Sequence, residues 1–314
     1  LTSMNLNFDV TVIIPTYNRI SMLEEALQSV FSQEFDGTVE IIVIDDNSSD
    51  GTSEMITEKY PSIRLIQFQE NQGAYVARNQ AIQTAQGKYI ANLDSDDLWE
   101  PNYLSSQLAA LAGKERCFAV SNLVSWSIGK NHKHLDIQKP NLTQYTSSLH
   151  HLLIESFIIT PSSAMFPRQL FEEVGFFDEN LKLGADTDMY IRSLLKGYTP
   201  IFSEEFTAIR RIHNQGQMTD VKNLSRRKKS RISRIQKYYP LLKSNEQQVS
   251  LNRIYAELNQ SFASQYFRKK YLGNWLLCSV KSAYHLSPLY AINNIKSDIV
   301  NTKIFKKIKG VFTS

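Results

Sequence analysis

"VEIIVIDD", residues 39–46, is an apolar run that stops on two adjacent aspartates. It is too short for a buried helix, and its β-branched residues fit a strand covered on both faces. Working outward, "VTVIIP" at 10–15 reads as an earlier strand. Leu23, Ala26, Leu27, Val30 and Phe31 then recur at helical spacing. Downstream, Asn47, Ser48, Ser49 and Asp50 predict a turn and helix cap, followed by a short helix ending near Pro61. "IRLIQF" at 63–68 is a third strand, 74–85 a helix after Gly73, and "KYIANLD" at 88–94 a fourth strand. This alternation predicts an α/β fold, a mostly parallel sheet flanked by helices.

Ligands of open parallel sheets bind beyond the carboxyl ends of the strands. Asp45 and Asp46 end the second predicted strand and Asp94, Asp96 and Asp97 the fourth, so both acidic groups belong to one edge. Carboxylates so crowded repel one another and are costly to desolvate, so the cluster is either a solvated turn or a cation site. No GxGxxG follows the first strand and no GxxxxGK[ST] occurs, which removes the usual dinucleotide and phosphate loops. A nucleotide bound here would need a divalent cation, held by carboxylates, to neutralise its phosphates.

The 314 residues suffice for one large domain or two smaller ones. Cys117 and Cys278 are too few and too distant for a disulfide framework or a zinc site. No basic-then-apolar leader and no run of about 18 apolar residues is visible, so neither a secretory signal nor a spanning helix is expected. Net charge divides sharply. Residues 1–220 hold 16 Lys and Arg against 28 Asp and Glu, whereas residues 221–314 hold 19 against 3. A tail so basic fits a membrane surface, a nucleic acid or an anionic substrate, or is simply solvated. Residues 117–213 predict short strands, "CFAVSNLV" and "FIITPSSAMF", between polar loops, and beyond 220 the pattern turns helical.

Four segments in order, "VTVIIPTYNR", "VIDDNSSDGT", "ARNQAIQTAQGKYIANLDSDD" and "VGFFDENLKLGADTDMYIR", resemble the family 2 glycosyltransferases of the GT-A fold. The resemblance covers about residues 9–213. It implies a catalytic domain over 1–220, with a nucleotide-sugar half at about 9–115 and an acceptor half at about 116–220, followed by a basic helical region at 221–314. It further implies inverting transfer of a hexosyl or N-acetylhexosaminyl group from a nucleotide-sugar, usually a UDP-sugar, with Mn2+ or Mg2+. The acceptor class is a saccharide or lipid-linked hydroxyl in bacterial surface polysaccharide or glycan assembly. Asp94 and Asp96 match the DxD motif, with Asp96 on the metal and Asp94 by the ribose or the metal's water shell. Asp46 matches the base-contacting aspartate, while Asp45 and Asp97 are accessory or structural. Thr16, Tyr17 and Arg19 lie where the family contacts the nucleotide, Tyr17 either on the base or wedged at the sheet edge. Arg78 matches the basic residue of the "ARN" segment, pairing with the ribose-phosphate region or with an aspartate.

An inverting displacement needs a carboxylate to take the acceptor proton. By the resemblance this is Asp186, which would otherwise serve as a helix N-cap. Ala185 replaces the usual glutamate, and Asp188 points elsewhere. His213 falls where relatives carry a histidine after the last core strand, either approaching the metal or the diphosphate or serving as an ordinary packed residue, and Arg210 and Arg211 are possible diphosphate contacts. Competing readings are a catalytically inactive sugar-nucleotide-binding or scaffolding relative and a nucleotidyltransferase, the latter disfavoured because "PTYNR" holds no glycine. No nucleic-acid partner is expected. As a helix, 299–312 places Val300, Ile304, Phe305, Ile308, Val311 and Phe312 on one face and Lys303, Lys306, Lys307 and Lys309 on the other. That pattern fits an anionic membrane surface or packing on the protein's own core. A cytoplasmic protein, peripheral at the inner face of the cell membrane, is the resulting expectation.

Overall fold

A computed structural model describes residues 7–213, 223–245 and 249–285. The chain divides into two compact units, residues 1–139 with 157–217, and residues 140–156 with 218–314. In the first unit β1 (Phe8–Thr16), α1 (Ile20–Phe31), β2 (Val39–Asp45), α2 (Thr52–Lys59), β3 (Arg64–Gln67), α3 (Ala74–Thr84) and β4 (Gly87–Asn92) realise the alternation read from the sequence. β1 pairs in parallel with β2 and β4, and β2 with β3, so Thr16 and Asp45 face each other at one edge and Asn92 lies close by. The central residues of β1, β2 and β4 carry no exposure because helices cover both faces. Leu23, Ala26, Leu27 and Val30 of α1 are buried as their spacing requires, whereas Phe31 is exposed and stacks on Tyr60.

The sheet then mixes direction. After β5 (Leu98–Trp99), α4 (Tyr103–Leu111), β6 (Cys117–Ser127) and β7 (His132–Asp136), the chain returns as β8 (Ala164–Pro167), α6 (Arg168–Val174), α7 (Ala185–Leu195) and β9 (Thr199–Ile212). Strand order is β3-β2-β1-β4-β8-β6-β9-β5, with β7 on β6. β8 is antiparallel to β4 and β6, and the two-residue β5 is antiparallel to β9. The sequence predicts a strand throughout 157–166, but only its last residues form one. Pro161 lacks an N–H and opens a 3-10 turn over Pro161–Ser163, capped by the Thr160 hydroxyl, which receives the Ser162 N–H. Likewise α2 begins after Gly51, whose φ of 85° is left-handed, so the cap falls one residue beyond Asp50.

The second unit contains α5 (Ser148–Ile154), α8 (Leu224–Asn245), α9 (Leu251–Arg268) and α10 (Leu272–His285). Its interior is unusually polar: His150 Nε2 lies 2.7 Å from Glu257 Oε2, with both side chains almost fully enclosed. Burial works against charge on Glu155. Hydrogen bonds from His151 and Ser261 and the nearby Arg231 guanidinium outweigh it and draw Glu155 down to about 2. Residues 299–312 lie outside the described residues. Among the described residues no helix is long and apolar enough to cross a membrane.

Gly87 shows how tightly the strands meet. A Cβ there would stand 2.3 Å from the Thr11 backbone nitrogen, and the Gly87 N–H donates to the Thr11 hydroxyl at 2.8 Å. Gly87→Ala should therefore cost about 1–3 kcal/mol through forced strand separation. Urea unfolding checks this; an unchanged midpoint would contradict the close approach.

Candidate active site

Three loops converge beyond the carboxyl ends of β1, β2 and β4. The first two are knitted together: Asn18 N donates to Ser48 Oγ at 2.9 Å, Ser49 N to Asn18 Oδ1 at 2.8 Å, and Ile20 N to Asp50 Oδ2 at 2.9 Å. Asn18 and Asn47 take left-handed backbone angles, which asparagine tolerates. Asp45 is structural, accepting Ser48 N and the Ser53 hydroxyl. Asp46 accepts Gln72 N at 2.7 Å and Gly73 N at 2.8 Å, which fixes the entry to α3. Gly73 adopts a φ of 94°, accessible without strain only to glycine.

The acidic turn follows β4 directly. Ligand atoms of Asp94, Asp96 and Asp97 lie within 4.8 Å of one another. Asp96 Oδ2 receives Arg19 Nη1 at 2.8 Å and stands 3.0 Å from His213 Nε2. Asp94 pairs with the buried Arg78, yet enclosure still raises its carboxyl above the ordinary range. Asp97 is buried among protein donors: Ser162 Oγ at 2.7 Å, Thr160 Oγ1 at 2.9 Å and Arg211 N at 3.1 Å. Burial and the charges of Asp94 and Asp96 push it up to about 7. Asp97 therefore anchors the turn, while Asp94 and Asp96 are left to Arg78, Arg19 and His213. Two carboxylates and an imidazole are a donor set that fits a divalent cation.

Opposite them stands α7. Its N-cap is Gly184, with a φ of 82°, and Asp186 is the second helical residue. Asp186 therefore does not cap the helix, and its half-buried carboxylate is not spent on the helix end. It acts electrostatically on Arg78 and on Tyr75, as Asp94 does, so these four residues form one cluster. Burial and the Asp186 charge hold the Tyr75 phenol well above its ordinary range. Ala185 is fully buried, and Asp188 is tied to Arg192 Nε at 2.7 Å. At the β1 end, Tyr17 is 47% exposed, so it is not wedged into the sheet edge. Thr16 Oγ1 and Arg78 Nε are buried with no hydrogen-bond partner among the described residues.

A model of glycosyl transferase family 2 matches residues 11–175. The chain belongs to that family. Among curated relatives of the chain, an uncharacterized glycosyltransferase of Rickettsia bellii is 34% identical over 206 residues, covering 64% of this chain and 28% of its own. The putative teichuronic acid biosynthesis glycosyltransferase TuaG of Bacillus subtilis is 29% identical over 209 residues, covering 65% and 79%. The chain thus spans about a third or less of the Rickettsia relative but most of TuaG. Solved structures with the same fold include S. aureus TarS 1-349 in complex with UDP-GlcNAc, at TM-score 0.58 and 16% identity, covering 88% of this chain and 91% of that one. Another is the mannosyltransferase PcManGT from Pyrobaculum calidifontis in complex with GDP-Man and Mn2+, at TM-score 0.59 and 19% identity, covering 97% and 84%. The fold of the family 2 chain is GT-A.

Arg211 departs from expectation. It is not a diphosphate contact: its side chain is enclosed, donating to Asp96 O, to Met22 O at 2.9 Å and to the Glu25 carboxylate. Alternation along β9 sends Arg210 and Arg211 to opposite faces, and this is the signal that could have marked one of them as internal. Thr160 and Ser162, absent from the sequence reading, sit in the proline turn and hold Asp97; Ser162 Oγ also accepts Asp94 N at 3.0 Å. Arg211→Met keeps the length but leaves the Met22 and Asp96 carbonyls without their donor. It should cost about 2–3 kcal/mol by the unmet polar groups alone. Chemical denaturation reads this, and wild-type stability would show the clamp to be dispensable.

Proposed function

We propose that this family 2 chain is an inverting, metal-dependent glycosyltransferase. It moves a hexosyl or N-acetylhexosaminyl group from a nucleotide-sugar, with UDP favoured, to a hydroxyl of a saccharide or lipid-linked acceptor. The observation that carries the reading is the gathering of Asp94, Asp96 and Asp97 in one turn, with His213 beside Asp96 and with Arg78 feeling the charge of both Asp94 and Asp186. Complexes of fold relatives with UDP-GlcNAc, and with GDP-Man and Mn2+, support the donor class and the cation. TuaG and the succinoglycan biosynthesis protein ExoO of Rhizobium meliloti support a role in bacterial surface polysaccharide assembly. A cytoplasmic site with peripheral contact to anionic membrane fits a lipid-linked acceptor.

Asp96, Asp94 and His213 would hold Mn2+ or Mg2+, which when bound supplies a Lewis acid for the leaving diphosphate. The remaining work belongs to the chain. Thr16 offers a buried hydroxyl and Arg78 a buried N–H, both free of protein partners, to the nucleotide. Asp46 positions the loop beside the base, and each of its oxygens keeps a second lone pair. The exposed Tyr17 ring is available to pack on the base. Arg19 pairs with Asp96, and were that carboxylate to hold a cation the guanidinium would be free to meet phosphate. Asp186 accepts the acceptor's proton as its oxygen bonds to the anomeric carbon and the carbon–diphosphate bond breaks, so charge is conserved.

Ala185 in place of a carboxylate favours a second reading, a sugar-nucleotide-binding relative without transfer. Turnover of UDP-GlcNAc with Mn2+, compared with GDP-Man, decides between them; no turnover of any nucleotide-sugar would leave binding alone. Asp186→Asn should lower turnover by about 100-fold or more while UDP affinity survives. Retained turnover would place the base elsewhere. Asp96→Asn should fold and lose transfer by a similar factor, about 100-fold. Full wild-type transfer in excess EDTA would contradict metal dependence.

A further inference from the structure

In the second unit, α10 buries one side and exposes apolar residues on the other. Its inner side packs on α9, with Cys278, Ser279 and Ser282 buried and Ser282 Oγ donating to Ala256 O at 3.0 Å. Its outer side carries Leu272, Leu276, Leu277 and Val280, each 53–59% exposed. At about 100° per residue these four fall within an arc of about 140°, turned away from the buried residues. An exposed apolar stripe of this kind marks an interaction surface.

Charge identifies the occupant. Arg268, Lys269 and Lys270 precede the stripe and Lys281 borders it, all exposed, and the sequence holds no Asp or Glu between Glu257 and Asp298. Large exposed aliphatic side chains in a segment whose only charged side chains are cations match the boundary between acyl chains and anionic headgroups. We propose that the outer face of α10 is a seat for an anionic lipid surface, with Leu276, Leu277 and Val280 entering the acyl boundary and Lys269, Lys270 and Lys281 meeting phosphates. This rests on the membrane contact in the reading above and assigns it to α10 rather than to 299–312. Long cationic stems at the rim bury their methylenes while keeping their ammonium groups at headgroup level.

Sedimentation of the full chain with phosphatidylglycerol-containing vesicles and with pure phosphatidylcholine vesicles tests it. The chain should pellet with the anionic vesicles and release at high salt. Leu276→Ser with Val280→Ser should reduce partitioning by at least about tenfold, because two exposed apolar anchors are removed. Lys269→Glu, Lys270→Glu and Lys281→Glu together should reduce binding to the level on neutral vesicles. Unchanged circular dichroism and UDP-GlcNAc turnover in these variants show that the fold and donor chemistry stand apart from the seat, so a failure here is distinguishable from a failure of the transferase reading. Equal pelleting of wild type and the serine variant overturns the proposal. So does a wild-type dimer that the serine substitutions convert to monomer without any vesicle binding. A fall in the serine variant's thermal stability without vesicles overturns it too, since the face would then be covered by the chain itself.

Discussion

The Arg211 guanidinium is enclosed between the acidic turn and α1, reaching Asp96 O, Met22 O and the Glu25 carboxylate, while its backbone N–H closes on Asp97. A charge so deep is costly unless its donors are satisfied, and here they meet a main-chain carbonyl of the turn, one of α1 and a carboxylate. These bonds offset the burial cost. Remove the arginine, and three aspartates within a few ångströms would have little reason to stay in one arrangement.

That constraint explains the division of labour in "DSDD". Asp97 is withdrawn from solvent by Thr160, Ser162 and Arg211, and its raised affinity for a proton reflects both burial and its neighbours. Asp94 and Asp96 are consequently left to other partners, Arg78, Arg19 and His213. The proline turn at 161–163 gains its purpose from the same contact. By ending the strand early it lets two hydroxyls reach the aspartate, and Trp99 Nε1 fastens it by donating to Ser162 O at 2.7 Å.

The parallel half of the sheet was legible because each strand is an apolar run bounded by turn residues and each helix repeats at its own period. The edge on which Asp46, Asp94 and Asp96 collect follows from that topology alone. Asp186 came only through resemblance, since nothing local distinguishes it from Asp188; the structure separates them by committing Asp188 to Arg192. Thr160 and Ser162 were not legible, because polar residues around a proline look like any loop until their partner, more than sixty positions away in sequence, is known. Arg211 was misread because an arginine beside a site suggests phosphate, and only β9's alternation argues otherwise. Residues 148–154 read as part of the acceptor half, yet α5 groups with the carboxyl-terminal helices; its buried His150 and Glu257 find each other across about a hundred residues, a pairing no local pattern announces.

The account stands on the turn at 94–97 being a cation and diphosphate site rather than a solvated loop. Titrating Mn2+ into the protein with UDP present, and following the free-ion electron paramagnetic resonance signal, measures this without relying on catalysis. The account predicts saturable loss of the signal at one ion per chain, weakened at least about tenfold by Asp96→Ala, which removes a charged ligand. Binding that is absent in wild type, or equal in wild type and variant, would contradict it.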